Sequence, residues 1–393
     1  MRDLLPAYNL PVDRLTRRRM LHLAITGCAG AALAACGSAA APAAPASSAA
    51  APAKPSAGAS SAAPAGSASA KPAASAAAAS APAKQLSAVK VGFAALSGNG
   101  TPVVMALDAG IFQKYGLPVT STYIQGSPNT IAALGANEVQ FAVVGASASV
   151  QAALGGADVV DVATLAPGLA FRFYSQPNIK TLQQLKGGRV VQSQAGTDPD
   201  FALRLVLQKN GMSYSDVTSI HVPGADADRL QAMVTSKAEA VILGPGLFHV
   251  AEGQFHLNLL LDVIKEKIPY EQATIATSRA FTKSHPDEVL AFVRSLTESV
   301  KYIKDHRPET LASLKKFLKT DDDAFVNEAY DYYVTGGVFP RELGVSEAGI
   351  QTLLDLVGET NPAAKQKKPA DFIDNSFVKK LSDEGFVTKL YGS

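Results

Sequence analysis

The chain has 393 residues, more than one ordinary domain needs, with 47% hydrophobic and 18% charged residues and a formal net charge of +2. That balance suits a globular protein, and the charges form no clustered basic face, so nucleic acid is not an expected partner. The two cysteines, Cys28 and Cys36, both precede the globular part, which excludes a disulfide, a thiol nucleophile or a thiolate-held metal from it.

Residues 1–35 read as an export signal. A long n-region ends in Thr16-Arg17-Arg18-Arg19-Met20-Leu21, and an Ala/Gly-rich apolar segment follows over 21–35. The segment is too short for a spanning helix, which needs about 20 residues. The arginine run resembles a twin-arginine signal, although a general secretion signal also fits. Leu33-Ala34-Ala35-Cys36 resembles a bacterial lipobox, which implies cleavage before Cys36 and lipidation of its thiol. Residues 36–86 follow as an Ala/Pro/Ser linker in which Lys54, Lys71 and Lys84 are the only charges. Such a composition cannot bury a core, so a disordered tether spanning on the order of 40 Å is expected. Loss of 1–35, with five Arg and two Asp, turns +2 into −1, and setting aside the three linker lysines leaves −4 for the folded part.

From residue 87 onward, strands and helices alternate, which predicts α/β layers around mostly parallel sheets. A strand near 90–96, carrying Val91, Phe93 and Leu96, breaks at Ser97-Gly98-Asn99-Gly100, where bare backbone lets a ligand approach. Thr101-Pro102 then reads as an N-cap with proline at the first helical position, opening a helix near 102–114. After a strand near 118–124 the same construction recurs at Gln125-Gly126-Ser127-Pro128. It recurs again at Gly145-Ala146-Ser147 after a strand near 139–145, and at Gln194 to Pro199 after one near 189–194. A strand near 239–244 ends at Gly244-Pro245. Further strands are expected near 159–165, 218–222, 257–262 and 272–277, with helices near 128–136, 147–155, 181–186, 199–210, 225–236 and 246–253. Five strand ends that offer backbone donors and hydroxyls, with few reactive side chains, describe a binding cleft.

Beyond Ser278 the pattern is helical only. Val289, Phe292, Val293, Leu296, Val300 and Ile303 form one apolar stripe, and further helices are expected near 308–318, 322–335, 346–357 and 370–390. Tyr330, Tyr332 and Tyr333 read as surface and packing.

Several stretches in order carry a family resemblance: 109–117 (AGIFQKYGL), Gly126-Ser127-Pro128, 132–135 (AALG), 152–160 (AALGGADVV), 185–190 (LKGGRV) and 371–374 (DFID). Together they resemble the substrate-binding proteins of ABC importers of the type II periplasmic fold, in the nitrate/sulfonate/taurine and thiamine-pyrimidine-precursor branch. The resemblance implies two α/β lobes joined by two crossing strands, placed near 171–177 and 272–278. Lobe one then combines 87–175 with the mostly helical 275–393, and lobe two is 176–274. It also implies a solute bound between lobes that close around it, ABC permease and ATPase partners, and an extracytoplasmic monomer anchored to the membrane by lipid. No cofactor or metal is expected.

The expected wall of the cleft is Ser97, Gly98, Asn99, Gly100, Thr101, Gln125, Gly126, Ser127, Gly145, Ala146, Ser147, Arg172, Gln194, Gly196, Thr197, Asp198, Gly244 and Pro245. Arg172 is the main basic candidate, against the reading of a surface or inter-lobe salt bridge. Asp198 either caps its helix, where acids favour the dipole, or meets an amine of the solute. A wall of hydroxyls and N–H groups without a full counter-charge points to a small polar organic solute, neutral or zwitterionic, ahead of nitrate. Two alternatives stay open. One is an enzyme of the pyrimidine-precursor branch, although His221, His249 and His256 show no metal spacing. The other is a solute-sensing lipoprotein.

Overall fold

Two five-stranded sheets of one plan organise the chain, seen in a computed structural model that describes residues 86–392. The expected signal segment, Cys36 and nearly all of the linker lie outside the described residues. The strands are β1 Val89–Phe93, β2 Val119–Tyr123, β3 Phe141–Val144, β4 Val160–Pro167, β5 Arg172–Ser175, β6 Arg189–Gln192, β7 Thr218–His221, β8 Ala240–Leu243, β9 Asn258–Asp262 and β10 Glu271–Thr277. The first sheet runs β2-β1-β3-β10-β4 and the second β7-β6-β8-β5-β9. In each, the first three strands are parallel, and the fourth is antiparallel to its neighbours.

The chain changes sheet in the loops at 168–171 and 263–270, a few residues before the expected crossings. The stretches read as crossings are paired strands instead. Phe173 and Tyr174 are wholly buried in β5, which hydrogen-bonds to both β8 and β9, so this segment could not serve as an exposed link.

Between the strands lie α1 Thr101–Asp108, α2 Ile111–Lys114, α3 Ser127–Gly135, α4 Ala146–Leu154, α5 Asp198–Lys209 and α6 Asp226–Ser236. Pro102, Pro128 and Pro199 occupy the first turn of α1, α3 and α5, where a missing N–H costs nothing. The C-terminal part supplies α7 Arg279–Ser284, α8 Pro286–Asp305, α9 Arg307–Leu318, α10 Asp323–Tyr330, α11 Glu347–Val357, α12 Ser376–Asp383 and α13 Phe386–Tyr391.

The predicted stripe of α8 is buried against the first sheet, where the Phe292 ring stacks 3.9 Å from Phe141 and 5.0 Å from Phe112. The helical extension is not confined to that sheet. Ile350, Leu353 and Leu354 of α11 share a core with Phe201, Leu203 and Val206 of α5, and with Val150 of α4. Periodicity shows that a helix has an apolar face but not which sheet receives it.

Two carboxylates lie inside the first sheet. Asp161 of β4 accepts from Ser149 Oγ (2.7 Å) and Thr274 Oγ1 (2.9 Å), and Glu271 of β10 accepts from Ser346 N–H (2.8 Å) and Thr164 Oγ1 (2.5 Å). Neither side chain is exposed. Burial pushes each up to about 7, hydrogen bonds from these hydroxyls oppose the rise, and Asp161 adds to that of Glu271.

Candidate functional site

Because β1, β2 and β3 are parallel, their carboxyl ends share one edge of the first sheet, and the ends of β6, β7 and β8 share one edge of the second. The loops that leave these edges open α1, α3, α4, α5 and α6, whose first N–H groups have no acceptor four residues back within the helix. The two edges meet. The Asp198 carboxylate, at the start of α5, lies against Gly145 and Ser147 at the start of α4, and Tyr270 Oη donates to Asp198 Oδ1 (2.7 Å). Beside it, Gln151 Nε2 of α4 donates to the Gly196 carbonyl (3.1 Å). Burial raises the Asp198 carboxyl to about 6, and hydrogen bonds from Tyr270 and Ser147 hold back part of that rise.

Predicted residues thus converge at Gly145, Ser147, Gly196 and Asp198, with Ser127 behind them accepting from Gly145 N–H (3.2 Å). Thr197 Oγ1 turns back to the Gln194 carbonyl (2.5 Å), and Gln194 itself is exposed. The partners that Asp198 has in this arrangement, Tyr270 and Ser147, come from the first sheet's side of the contact. Ser97 Oγ donates to Asn99 Oδ1 (2.6 Å), and the Tyr333 ring lies against Gly98. The Phe93 and Phe317 rings cover Gly100. Gln125 is exposed beside Gly126, whose N–H donates to the Ala94 carbonyl (2.9 Å).

Other expectations need correction. Thr101 is buried and its hydroxyl donates to the Gly98 carbonyl (2.5 Å), and Ala146 is fully buried, so both shape the loops rather than face the cleft. Arg172 opens β5 and is engaged there. It donates to Glu252 (3.3 Å) and Asp262 (3.4 Å), with its guanidinium 4.3 Å from the centre of the Phe248 ring. Both ion-pair partners, Glu252 and Asp262, belong to the second sheet's side, so the salt bridge is not an inter-lobe one; from the helical extension the Tyr332 ring approaches, at 5.8 Å.

The basic residue that the sequence reading missed is Arg229. It stands in the first turn of α6, buried, bonded to Asp226 and donating to the Gly224 carbonyl (2.9 Å). Its burial lowers the guanidinium to about 10. The same Asp226 accepts the Gly244 N–H (2.8 Å), which sets this pair of opposed charges at the strand end leading to Pro245. The available signal was an arginine three residues after an aspartate at a helix start, where a cation is disfavoured by the dipole unless it is paired. A cavity of about 400 Å³, lined by Gln176, Lys237, Phe255 and Leu257 among others, lies at the opposite edge of the second sheet and includes no predicted residue. Among the described residues no group of His, Cys, Asp and Glu could hold a metal.

The NMT1/THI5-like family profile matches residues 97–310. A candidate binding protein of Brucella abortus (strain 2308) is 26% identical over 246 residues, 61% of this chain and 75% of its own length. A candidate aliphatic sulfonates-binding protein of Bacillus subtilis (strain 168) is 23% identical over 310 residues, 77% of this chain and 90% of its own. Among solved structures, the periplasmic aliphatic sulphonate binding protein of Escherichia coli aligns with a TM-score of 0.62 at 18% identity, over 73% of this chain and 92% of that one. The shared fold is the two-lobed α/β arrangement of periplasmic binding proteins.

Proposed function

This chain belongs to the NMT1/THI5-like family, and from that membership we propose that it is the extracytoplasmic solute-binding component of an ABC importer, which delivers its solute to a membrane permease driven by an ATPase. The observation that carries this reading is the meeting of two like sheets, edge to edge, through loops built of backbone N–H groups and hydroxyls. That wall can hold a solute; it aligns no nucleophile with a base. The lobes turn about the loops at 168–171 and 263–270. Closure is then favoured by contacts that exist only when the lobes meet.

For the solute we put forward a small organic sulfonate, preferably a zwitterionic amino-sulfonate. Two relatives are named for aliphatic sulfonates. Strand-end loops that offer backbone N–H groups and hydroxyls, without a free full counter-charge, suit a small zwitterion better than a bare anion. A thermal-shift screen of taurine, alkanesulfonates, pyrimidines, nitrate and bicarbonate tests this, because a ligand at 100 times its Kd stabilises by about 2.7 kcal/mol. A shift with nitrate alone would overturn the organic-solute reading. Thr197→Ala, which removes a hydroxyl at the start of α5, should weaken binding roughly fivefold, the scale of one hydrogen bond of about 1 kcal/mol.

The anchor is proposed from Cys36. No helix among the described residues is long and apolar enough to cross a membrane. Two or more acyl chains hold a protein at a bilayer where one binds only marginally. Cys36→Ala should move the protein from the membrane fraction to the soluble fraction or leave it unprocessed. Full processing with undiminished membrane retention would refute lipidation at this residue.

A further inference from the structure

Helix α10 and the turn of π-helix that continues it, Asp331–Thr335, belong to both lobes at once. Val326, Tyr330, Tyr333 and Val334 pack into the core of the first sheet, Phe325 packs against that of the second, beside Leu247 and Phe248, and Tyr332 packs against both. Of the tyrosines read from sequence as surface and packing, Tyr330 and Tyr333 pack in the first core and Tyr332 lies at the junction.

From this helix Glu328 reaches the loop after β8. Its Oε1 accepts the N–H groups of Gly246 (2.6 Å) and Phe248 (2.8 Å), and its Oε2 accepts that of His249 (2.7 Å) and lies 2.9 Å from His249 Nδ1. Those N–H groups open a short helix and find no partner within it, and a carboxylate is their strongest acceptor. Ordinarily such a cap comes from the residue just before the helix. Here it comes from about eighty residues away and from the other lobe.

The neighbouring contacts run across the same junction. The Phe325 ring lies over Gly246, which has φ +119°, and a Cβ there would stand 2.5 Å from the ring, so only glycine allows the approach. Phe248 and Tyr332 meet ring to ring at 5.4 Å, and Tyr332 Oη donates to Asp262 Oδ1 (2.8 Å).

We propose that Glu328 is an inter-lobe latch: carried on a helix rooted in the first lobe, it holds the cleft loop of the second lobe and favours the closed arrangement before any solute binds. A solute then has to supply less of the free energy of closing, and the apparent affinity rises with the fraction already closed. The inference rests on the two-lobed arrangement and not on the identity of the solute, so its test uses none.

Spin labels at Glu138→Cys in the first lobe and Lys186→Cys in the second, in the full chain with Cys28 and Cys36 replaced by serine, report the inter-lobe distance. Both labelled positions are exposed. Amide exchange of residues 246–249, followed in the same protein, reports the Glu328 contact itself. Expected for Glu328→Ala is at least tenfold faster exchange over 246–249 together with a longer, broader inter-lobe distance, while β1 and β6 stay protected. Faster exchange at 246–249 with an unchanged distance would reduce Glu328 to a local helix cap and overturn the proposal, as would exchange that does not change. Should Glu328→Ala fail to fold, Glu328→Gln, which keeps the size and loses the charge, is judged by the same two readouts and should show the same changes at smaller amplitude.

Discussion

Thermal stability should fall as the pH rises from about 5 to about 7.5, by on the order of 6 kcal/mol in total, or several degrees of Tm. Asp161 and Glu271 hold their protons up to about pH 7 in the folded chain, and Asp198 up to about pH 6. Unfolded, all three release them near pH 4. Across that window the folded state binds more protons than the unfolded one, so the free energy of unfolding declines with rising pH and levels off once the last group has titrated.

Two acids act in the opposite sense at lower pH. Despite partial burial, Glu239 is held below the usual carboxylate range by Arg189, and Glu288 by the Ser87 N–H. What they contribute is lost only as the pH falls below about 4.5, which sets the maximum near pH 5. Melting curves from pH 4 to 8 check this. Asp161→Asn should cut the slope between pH 5 and 7 by roughly a third to a half and should melt above the parent at pH 8, since an amide needs no charge inside the sheet. A profile that is flat, or that climbs toward pH 8, would contradict the protonated state of these carboxyls.

These carboxylates also join distant parts of the chain. The Asp161 N–H donates to the Phe372 carbonyl (3.0 Å) and its carbonyl accepts from Asp374 (2.9 Å), while Glu271 takes the Ser346 N–H just before α11. The C-terminal helices are thereby fixed to β4 and β10, next to Tyr270, whose hydroxyl reaches Asp198 in the other lobe. Strands β4 and β10, the helical extension and the cleft contact form one connected structure.

Much of that arrangement was legible in the sequence, for reasons that are local. Pro102, Pro128 and Pro199 fix helix starts directly after small-residue turns, and the apolar runs before them are short enough to be strands only. Arg172–Ser175 escaped as a sheet strand because four residues without alternation, following a loop, look the same whether they link two sheets or lie inside one. The role of α10 escaped for a different reason. Its apolar residues face two cores, so it shows no single stripe, and the π-turn at Asp331–Thr335 shifts the spacing of the tyrosines by one residue. Arg172 was visible as a charge. Its engagement with Glu252 and Asp262, 80 and 90 residues away, is a property of the fold that no local pattern carries.

Gly145→Val should abolish solute binding, by at least a hundredfold in Kd, while leaving the protein folded. The backbone at Gly145 has φ −70° and ψ 133°, an extended conformation open to any residue, so valine imposes no strain on the first lobe by itself. The obstacle lies across the cleft. A Cβ at this position would overlap Asp198 Oδ2 and stand 3.3 Å from Asp198 Cγ. With valine present, Asp198 cannot reach Tyr270 and Ser147, the start of α5 is held away from the start of α4, and the closed cleft cannot form. A state that binds only when closed loses affinity in proportion to the lost closed fraction, and a hundredfold loss corresponds to about 2.7 kcal/mol, within the roughly 1–3 kcal/mol that overpacking costs. Calorimetric titration with the solute found by the thermal-shift screen measures the effect, and a melting temperature within a few degrees of the parent shows that folding is intact. Shortening the opposing side chain should restore room: Gly145→Ala combined with Asp198→Ala should bind more tightly than Gly145→Ala alone, a non-additivity expected of residues in contact. Equal affinities for parent and Gly145→Val would mean that the lobes bind solute without bringing Asp198 to Gly145.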